Sequence, residues 1–166
     1  MRTLSLAIIA ALIVTADQYT KHIIATTFWP GESRIVVPHI LHFTYVQNYH
    51  GAFGLFGSHP LLLTGAAAIV LVMFYLWYRR EGASPLVHAA FALIFGGAVG
   101  NIVDRVRFGY VHDFIDVRIW PNVFNVADSA ITIGVTLLLA QMLVHDRQHA
   151  ASAATAAIAP PALADE

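Results

Sequence analysis

Four apolar stretches, each about as long as a membrane-spanning helix, constrain this chain more than any other feature. They cover approximately residues 4–26, 61–78, 86–106 and 124–144. A helix needs about 20 predominantly apolar residues to cross the hydrocarbon core of a bilayer. Only 11% of the residues are charged, whereas soluble domains average about 25%. The sequence therefore predicts an all-α membrane protein built as a four-transmembrane-helix bundle.

The first apolar stretch has a second interpretation, as a cleavable signal peptide. An N-terminal arginine precedes an apolar run, and Val-Thr-Ala at residues 14–16 has the form of a cleavage site. However, the apolar run continues through residues 23–25, beyond Asp17 and Lys21. These two residues lie four apart, so they share one helix face and can form an ion pair. We therefore interpret the stretch as a retained span.

Four spans place both termini on the same side of the membrane. Cytoplasmic loops are enriched in arginine and lysine, and this bias sets the orientation of a membrane protein. The very short loop after the second stretch begins next to Arg79 and Arg80. We therefore expect cytoplasmic termini and an extracytoplasmic outer loop over residues 27–60.

The outer loop and the C-terminal tail differ in composition from the spans. Residues 34–37 and 41–46 are rich in β-branched and aromatic side chains, with Pro38 between them. This pattern predicts two short strands that form a small extracytoplasmic β-sheet. Residues 147–166 are rich in alanine and proline, and we expect them to be disordered. The chain is thus interpreted as one membrane domain, residues 1–146, followed by a tail.

Polar side chains are concentrated in one segment that begins inside the third apolar stretch and ends inside the fourth. The segment carries Asn101, Asp104, Arg105, Asp113, Asp116, Asn125 and Asp128. Ionisable groups at membrane depth are costly and usually face a protein interior or a water-filled site, so they are candidates for function. Small residues at positions 96, 97 and 100 allow another helix to approach this part of the third span closely.

Asp113 and Asp128 are the candidate acid–base pair of this segment. Two carboxyl groups a few ångströms apart resist joint ionisation and can share one proton. One then serves as a general base toward water and the other as a general acid. The structural alternatives are a turn residue for Asp113 and, for Asp128, an acid that complements the dipole of the fourth helix. Spacing alone leaves both alternatives open.

The remaining polar side chains also have structural interpretations. Asp17 with Lys21, and Asp104 with Arg105, can form intramembrane ion pairs that fix helix packing, or they can face a substrate. The two asparagines of the polar segment can satisfy buried backbone groups or hold the peptide groups of a substrate. The residue types alone do not decide between these roles.

Composition also limits the chemistry that the chain can perform. The absence of cysteine excludes disulfides, thiolate nucleophiles and iron–sulfur clusters. Nine histidines are present, but there is no HExxH motif, and His39 and His42 fall on opposite faces of a strand. We therefore predict no metal site. A net charge of −1 does not favour a nucleic-acid partner.

Four short motifs stand at the polar ends of the spans. They are Asp17-Gln18-Tyr19-Thr20-Lys21, Gly100-Asn101-Ile102-Val103-Asp104-Arg105, Val111-His112-Asp113-Phe114 and Phe124-Asn125-Val126-Ala127-Asp128-Ser129. Their order and spacing, together with the four-span layout, resemble the lipoprotein signal peptidase (signal peptidase II) family. That family shows Asp-Gln-x-Ser/Thr-Lys, Gly-Asn-x-x-Asp-Arg, Val-x-Asp-Phe and Phe-Asn-x-Ala-Asp-Ser. Any one motif is weak evidence, whereas four in register are highly specific.

The resemblance implies a bacterial inner-membrane aspartic endopeptidase that needs no cofactor and no metal. Such an enzyme removes the signal peptide from prolipoproteins by cleaving before a diacylglyceryl-modified cysteine, near the extracytoplasmic face and in contact with membrane lipids. The catalytic residues would be Asp113 and Asp128. Contacts with substrate and with globomycin-type peptide inhibitors would fall on Asp17, Lys21, Asn48, Gly97, Asn101, Arg105 and Asn125, with Asp104 supporting Arg105.

The outer loop contains one departure from the family pattern. The family usually shows Asn-x-Gly-x-Ala-Phe, whereas this chain has His50 in the position of the glycine and Gly51 one place later. Only glycine adopts positive φ freely. The turn after Asn48 is therefore the point at which this chain departs from the family, and we do not expect the departure to abolish the activity.

Two other classes of function fit a small polytopic protein. A proton-coupled transporter would use Asp17, Asp104 and Asp128 as a relay, but the charged groups cluster near one membrane face and leave no charged path across. A non-enzymatic scaffold would use its charges only to pair helices. It would tolerate Asp113→Asn, because Asp113 lies outside the predicted spans.

Overall fold

The computed structural model describes residues 2–50, 60–80 and 84–158. In this part of the chain four helices and three strands occur in the order α1 (Arg2–Thr27), β1 (Ser33–Val37), β2 (Leu41–Asn48), α2 (Pro60–Arg80), α3 (Pro85–Phe108), β3 (Val111–Val117) and α4 (Val126–Ile158). The predicted fold class, a helical membrane protein with a small sheet, is confirmed. Residues 51–59 of the predicted outer loop lie outside the described residues.

The helices have the dimensions of membrane spans. Three segments are each long and apolar enough to cross a bilayer, namely Leu4–Thr27, Pro85–Phe108 and Val126–Val144. The remaining helix, α2, has 21 residues and contains the apolar segment Thr64–Leu76. A helix of this length measures roughly 30 Å, which matches the hydrocarbon core.

Helix α3 has defined caps at both ends. The Ser84 side chain accepts a hydrogen bond from the backbone N–H of Val87, and Pro85 occupies the first turn. At the other end Gly109 adopts φ 81° and donates its N–H to the carbonyl of Arg105, a left-handed termination that glycine makes without strain. The chain therefore reverses directly after α3 and enters β3.

The sheet is antiparallel with the strand order β1-β2-β3. The two strands predicted in the outer loop are β1 and β2. They are joined by a turn in which Pro38 is followed by His39 with φ 63°, while the Ile40 N–H donates to the Val37 carbonyl at 3.1 Å; this is the arrangement of a type II turn. The third strand, β3, lies between the third and fourth predicted spans and was not among the strands predicted for the outer loop.

Helix α3 lies at the centre of the bundle because its glycines let two helices approach it. A Cβ placed on Gly100 would lie 2.6 Å from a carboxylate oxygen of Asp17 in α1, and one on Gly97 would fall on the Ala127 carbonyl oxygen of α4. The close approach predicted from these small residues is confirmed. The packing draws α1 and α4 together around the polar end of α3.

Gly97→Ala is therefore expected to lower the free energy of unfolding by about 1–3 kcal/mol, the usual cost of overpacking. The matched control is Gly65→Ala in α2, where a Cβ would meet no atom within 4 Å. Alanine has the higher helix propensity, so that variant should be as stable as the wild type or more stable. Thermal unfolding in detergent compares the two; equal melting temperatures would contradict the proposed close contact.

Helix α4 differs from the prediction at both ends. It begins at Val126, because Phe124 instead forms a β-bridge with Ile115. It continues to Ile158, so the prediction of disorder from residue 147 onward is wrong as far as Ile158. The tail is rich in alanine, the residue with the highest helix propensity, and can extend the helix. Residues 159–166 lie outside the described residues.

Candidate active site

Asp128 is held at the start of α4 by a reciprocal pair of hydrogen bonds with Asn125. The backbone N–H of Asp128 donates to Asn125 Oδ1 at 2.9 Å, and the backbone N–H of Asn125 donates to Asp128 Oδ2 at 3.2 Å. This is the capping-box arrangement, with aspartate as the acid. Asn125 falls within the fourth predicted span, residues 124–144, but in the structure it precedes α4 and caps it.

Asp113 reaches the same place from β3. Its side chain is only 2% exposed. One carboxylate oxygen accepts a hydrogen bond from Asn48 Nδ2 at 2.8 Å, and the other accepts from Asn125 Nδ2 at 2.6 Å. Asn125 thus contacts both aspartates, Asp128 through its backbone and Asp113 through its side chain. The two carboxyl groups suggested by the sequence are brought together by one residue.

The environment of Asp113 favours its protonated form. Burial raises the pKa of this carboxyl to about 7, and the nearby charge of Asp128 acts in the same direction. The hydrogen bonds from Asn48 and Asn125 oppose these effects, because they stabilise the carboxylate. A carboxyl group with such a pKa can exchange a proton near neutral pH.

Asn101 connects the aspartates to a buried lysine. Its Nδ2 donates to Asp128 Oδ1 at 2.8 Å, while its Oδ1 accepts from Lys21 Nζ at 2.9 Å and from Asn125 Nδ2 at 3.2 Å. Because an ammonium group only donates hydrogen bonds, Lys21 requires the amide oxygen of Asn101 to face it. The amide nitrogen is thereby directed at Asp128.

Lys21 is the centre of a buried charge cluster. Its Nζ lies 2.8 Å from Asp17 and 3.1 Å from Asp104, and the three side chains are at most 3% exposed. Asp17 also accepts the backbone N–H of Ala127 at 2.9 Å, which ties α1 to the first turn of α4. The cluster therefore ties α1 to α4, which carries Asp128, and also to α3, whose Asn101 binds Asp128.

Asp104 was expected to support Arg105, but it forms no direct ion pair with this arginine. Its carboxylate instead binds Lys21, Gln18 Nε2 at 2.8 Å, and the backbone and ring nitrogens of His112 at 3.0 and 3.1 Å. In the described part of the chain Arg105 forms no salt bridge. The reason is geometric: adjacent residues of a helix point in different directions, so Asp104 faces the interior between α1 and β3 while Arg105 faces a cavity.

A cavity of about 1360 Å³ opens beside the two aspartates. Its polar lining consists mainly of Asn48, His50, Asn101, Arg105, Asp113 and Asp128. Much of the rest is apolar and comes from the segment between β3 and α4 and from the first turns of α4, including Val117, Ile119, Trp120, Pro121, Val123, Phe124, Ile131 and Ile133. The cavity can therefore receive a largely apolar chain against a polar floor.

The predicted substrate-binding residues divide into two groups. Asn48, Asn101 and Arg105 line the cavity, and Asn125 lies directly behind it. Asp17, Lys21 and Asp104 are buried behind the floor, and Gly97 packs against α4, so these four are interpreted as positioning residues. Direct substrate contact stays a prediction for the first group.

His50 does not strain the turn after Asn48. Among the described residues other than glycine, only His39 has a positive φ. The backbone N–H of His50 donates to Asn48 Oδ1 at 3.1 Å. This bond directs the Asn48 amide nitrogen toward Asp113. His50 therefore adopts an ordinary negative φ here, while Gly51 lies outside the described residues.

Gln18 and His112 are parts of the site that sequence reasoning did not single out. Both bind Asp104, and the His112 ring is stacked on Tyr45 with 5.8 Å between centroids. The available signal was position: Gln18 lies inside the first motif, and His112 precedes Asp113 in β3, so its side chain projects from the opposite face.

Known proteins resemble this chain over most of its length. The family model for signal peptidase (SPase) II matches residues 9–144. The lipoprotein signal peptidase of Moorella thermoacetica is 44% identical over 138 residues, covering 82% of this chain and 91% of the relative. That of Halothermothrix orenii is 38% identical over 132 residues, covering 80% and 90%.

A solved structure shares the fold. A bacterial membrane enzyme determined by the in meso method at 2.3 Å resolution superposes with a TM-score of 0.79 at 36% identity, covering 84% of this chain and 87% of that one. The four motifs, the paired aspartates, the family match and this structural likeness all agree: the chain belongs to the signal peptidase II family.

Proposed function

We propose that Asp113 and Asp128 form the catalytic dyad with which this member of the family cleaves prolipoproteins. The observation that carries the proposal is the contact of Asn125 with both carboxyl groups, which holds them at the wall of one cavity. Two carboxyl groups so placed share one proton and titrate as a pair. The transporter and scaffold alternatives are not favoured, because the chain belongs to a peptidase family.

In the proposed reaction the dyad activates a water molecule. The ionised carboxylate takes a proton from the water as its oxygen attacks the scissile carbonyl, and the protonated carboxyl donates a hydrogen bond to the carbonyl oxygen. When the carbon–nitrogen bond breaks, that carboxyl supplies the proton of the leaving amine. The products are a new carboxyl terminus and a new amino terminus, and no other reactant is required.

Substrate binding would use the groups that line the cavity. Arg105 has no salt-bridge partner in the described residues, so its guanidinium is available to backbone carbonyl groups of a signal peptide. The apolar lining suits apolar signal-peptide residues, and globomycin-type peptide inhibitors would compete for the same space. The diacylglyceryl chains would remain among the membrane lipids.

The cavity would open toward the extracytoplasmic side of the bacterial inner membrane. The sheet lies at the end of the bundle where α1 and α3 finish. Helix α2 follows strands β1 and β2 in the chain and ends with Arg79 and Arg80, which places these arginines at the opposite end of the bundle. Arginine near short loops favours the cytoplasm. This orientation would leave both termini cytoplasmic.

Cleavage of a diacylglyceryl-modified prolipoprotein peptide by the purified protein in lipid tests this function. The same peptide without the lipid should be cut far more slowly, since the acyl chains hold the modified substrate in the bilayer. A chelator should leave the rate unchanged, because the proposed reaction uses no metal. Equal cleavage of both peptides would contradict the assigned substrate, and inhibition by the chelator would contradict the mechanism.

The proposed dyad also predicts how the activity depends on pH. Because the pKa of Asp113 is raised to about 7, the one-proton state is lost as the pH rises above that value and both carboxyls ionise. We expect kcat/KM to fall on the alkaline side of neutrality with a slope of one proton. Initial rates measured at constant ionic strength, together with the melting temperature at each pH, test this; a flat profile from pH 6 to about pH 9 would contradict the shared proton.

A further inference from the structure

A second cavity lies on the face of the sheet opposite the active site. Alternate side chains of a strand point to opposite faces, and here Tyr45 and Gln47 line this cavity of about 730 Å³ while their neighbours Val46 and Asn48 line the active-site cavity. We call it the rear cavity. The two cavities share no lining residue among those described, so the rear cavity is a separate site.

The rear cavity opens where two helices leave the membrane. Its wall includes the last residues of α1, from Gln18 to Thr27, and the end of α3. Trp29 and Phe108 stand at its edge and are 81% and 44% exposed. Exposed aromatic side chains at helix ends mark the level of the lipid headgroups. The opening therefore faces headgroups and not acyl chains.

Arg107 supplies an uncompensated positive charge at this opening. In the described part of the chain it forms no salt bridge, and its guanidinium lies over the ring of Phe108 at 5.0 Å. The carboxylate of Asp104 also borders the cavity, but it is buried and engaged by Lys21, so it does not reach a ligand at the opening. An anion there would meet Arg107 first.

Neutral hydrogen-bonding groups lie further inside. Gln47 Nε2 donates to the Tyr110 hydroxyl at 3.0 Å, and both residues line the cavity. Burial and a hydrogen bond with Tyr45 raise the pKa of Tyr110 to about 12, so the phenol stays neutral and its oxygen can accept a hydrogen bond from a hydroxyl group of a ligand. One cation at the opening with hydroxyl and amide groups behind it matches a phosphate that carries a hydroxylated substituent.

We propose that the rear cavity binds the headgroup of an anionic phospholipid of the outer leaflet. The phosphate contacts Arg107, whose planar guanidinium suits two phosphate oxygens. The hydroxyl groups of a glycerol headgroup contact Tyr110 and Gln47. The acyl chains extend along the exposed outer surface of α1. This binding does not depend on the proposed catalytic dyad.

Titration of the full chain in detergent with phosphatidylglycerol, phosphatidylcholine and glycerol 3-phosphate, followed by native mass spectrometry, tests the proposal. Phosphatidylglycerol should bind most tightly, and Arg107→Gln should weaken it by about tenfold, as expected for one charge-assisted contact. Arg118→Gln is the matched control, because Arg118 pairs with Asp116 outside the cavity and its loss should leave the affinity unchanged. The lipid-free melting temperatures establish that both variants fold.

Three results would overturn the proposal. Equal affinity of phosphatidylcholine and phosphatidylglycerol would mean that the charge is not recognised. Unchanged affinity in folded Arg107→Gln would place the lipid elsewhere. Binding of glycerol 3-phosphate as tight as that of the lipid would identify a soluble phosphate ligand and not a membrane lipid.

Discussion

Asp113→Asn is expected to lower the rate of cleavage of a diacylglyceryl-modified prolipoprotein peptide by about a thousandfold or more, since positioned acid–base groups contribute about 10²–10⁴ each. The amide keeps the size of the side chain but cannot carry the proton that the proposed dyad shares. Asp128→Asn should cause a loss of similar size. Combining the two should cost little beyond either alone, because residues that act as a unit are not additive. Initial rates in lipid at saturating and subsaturating substrate measure the three variants.

Asp116→Asn is the matched control for this experiment. Asp116 lies in the same strand as Asp113, but its carboxylate binds Thr44 and Arg118 on the opposite face of the sheet. Its loss should leave the cleavage rate close to that of the wild type. Melting temperatures separate loss of chemistry from loss of structure, because Asp113 also accepts two hydrogen bonds. Near-normal turnover by a folded Asp113→Asn or Asp128→Asn protein would refute the dyad.

The elements of the fold could be predicted because their signals are local. An apolar stretch of about 20 residues is sufficient to indicate a span, and the second predicted span, residues 61–78, falls within α2. The runs on either side of Pro38 indicated β1 and β2 in the same way. Strand β3 was not among the predicted strands, because a short segment gains its strand conformation by pairing with β2, and that pairing joins residues far apart in the chain.

The sequence predicted which residues belong to the candidate site but not which of them contact one another. The aspartates and asparagines were identified by residue type and by the family motifs. The ion-pair partner of Asp104 could not be identified, because Lys21 lies in another helix and only the packing of α1 against α3 brings the two residues together. Asn125 was placed on the wrong side of a helix boundary, and boundaries depend on capping bonds that the neighbouring strand influences.

Lys21→Met is expected to lower the free energy of unfolding by about 3–5 kcal/mol, the cost of removing one partner from a buried ion pair. Asp17 and Asp104 would remain buried without their shared counter-ion. The effect should extend to the site, because Lys21 fixes the orientation of Asn101 and Asn101 binds Asp128. Thermal or denaturant unfolding in detergent measures the stability, and cleavage of the modified peptide measures the activity.

The control for this prediction is an ion pair of similar length that is not buried. Arg34 lies 2.7 Å from Glu32, against 2.8 Å for Lys21 and Asp17, but its side chain is 51% exposed. Arg34→Met should cost no more than about 1 kcal/mol, because water screens an exposed pair. The double variant Lys21→Met/Asp17→Asn no longer carries the Asp17 carboxylate that Lys21→Met leaves without a counter-ion. Its free energy of unfolding should therefore fall by less than the sum of the decreases in the two single variants. If Lys21→Met and Arg34→Met lowered the free energy of unfolding by equally small amounts, burial would not explain how the Lys21 cluster stabilises the candidate site.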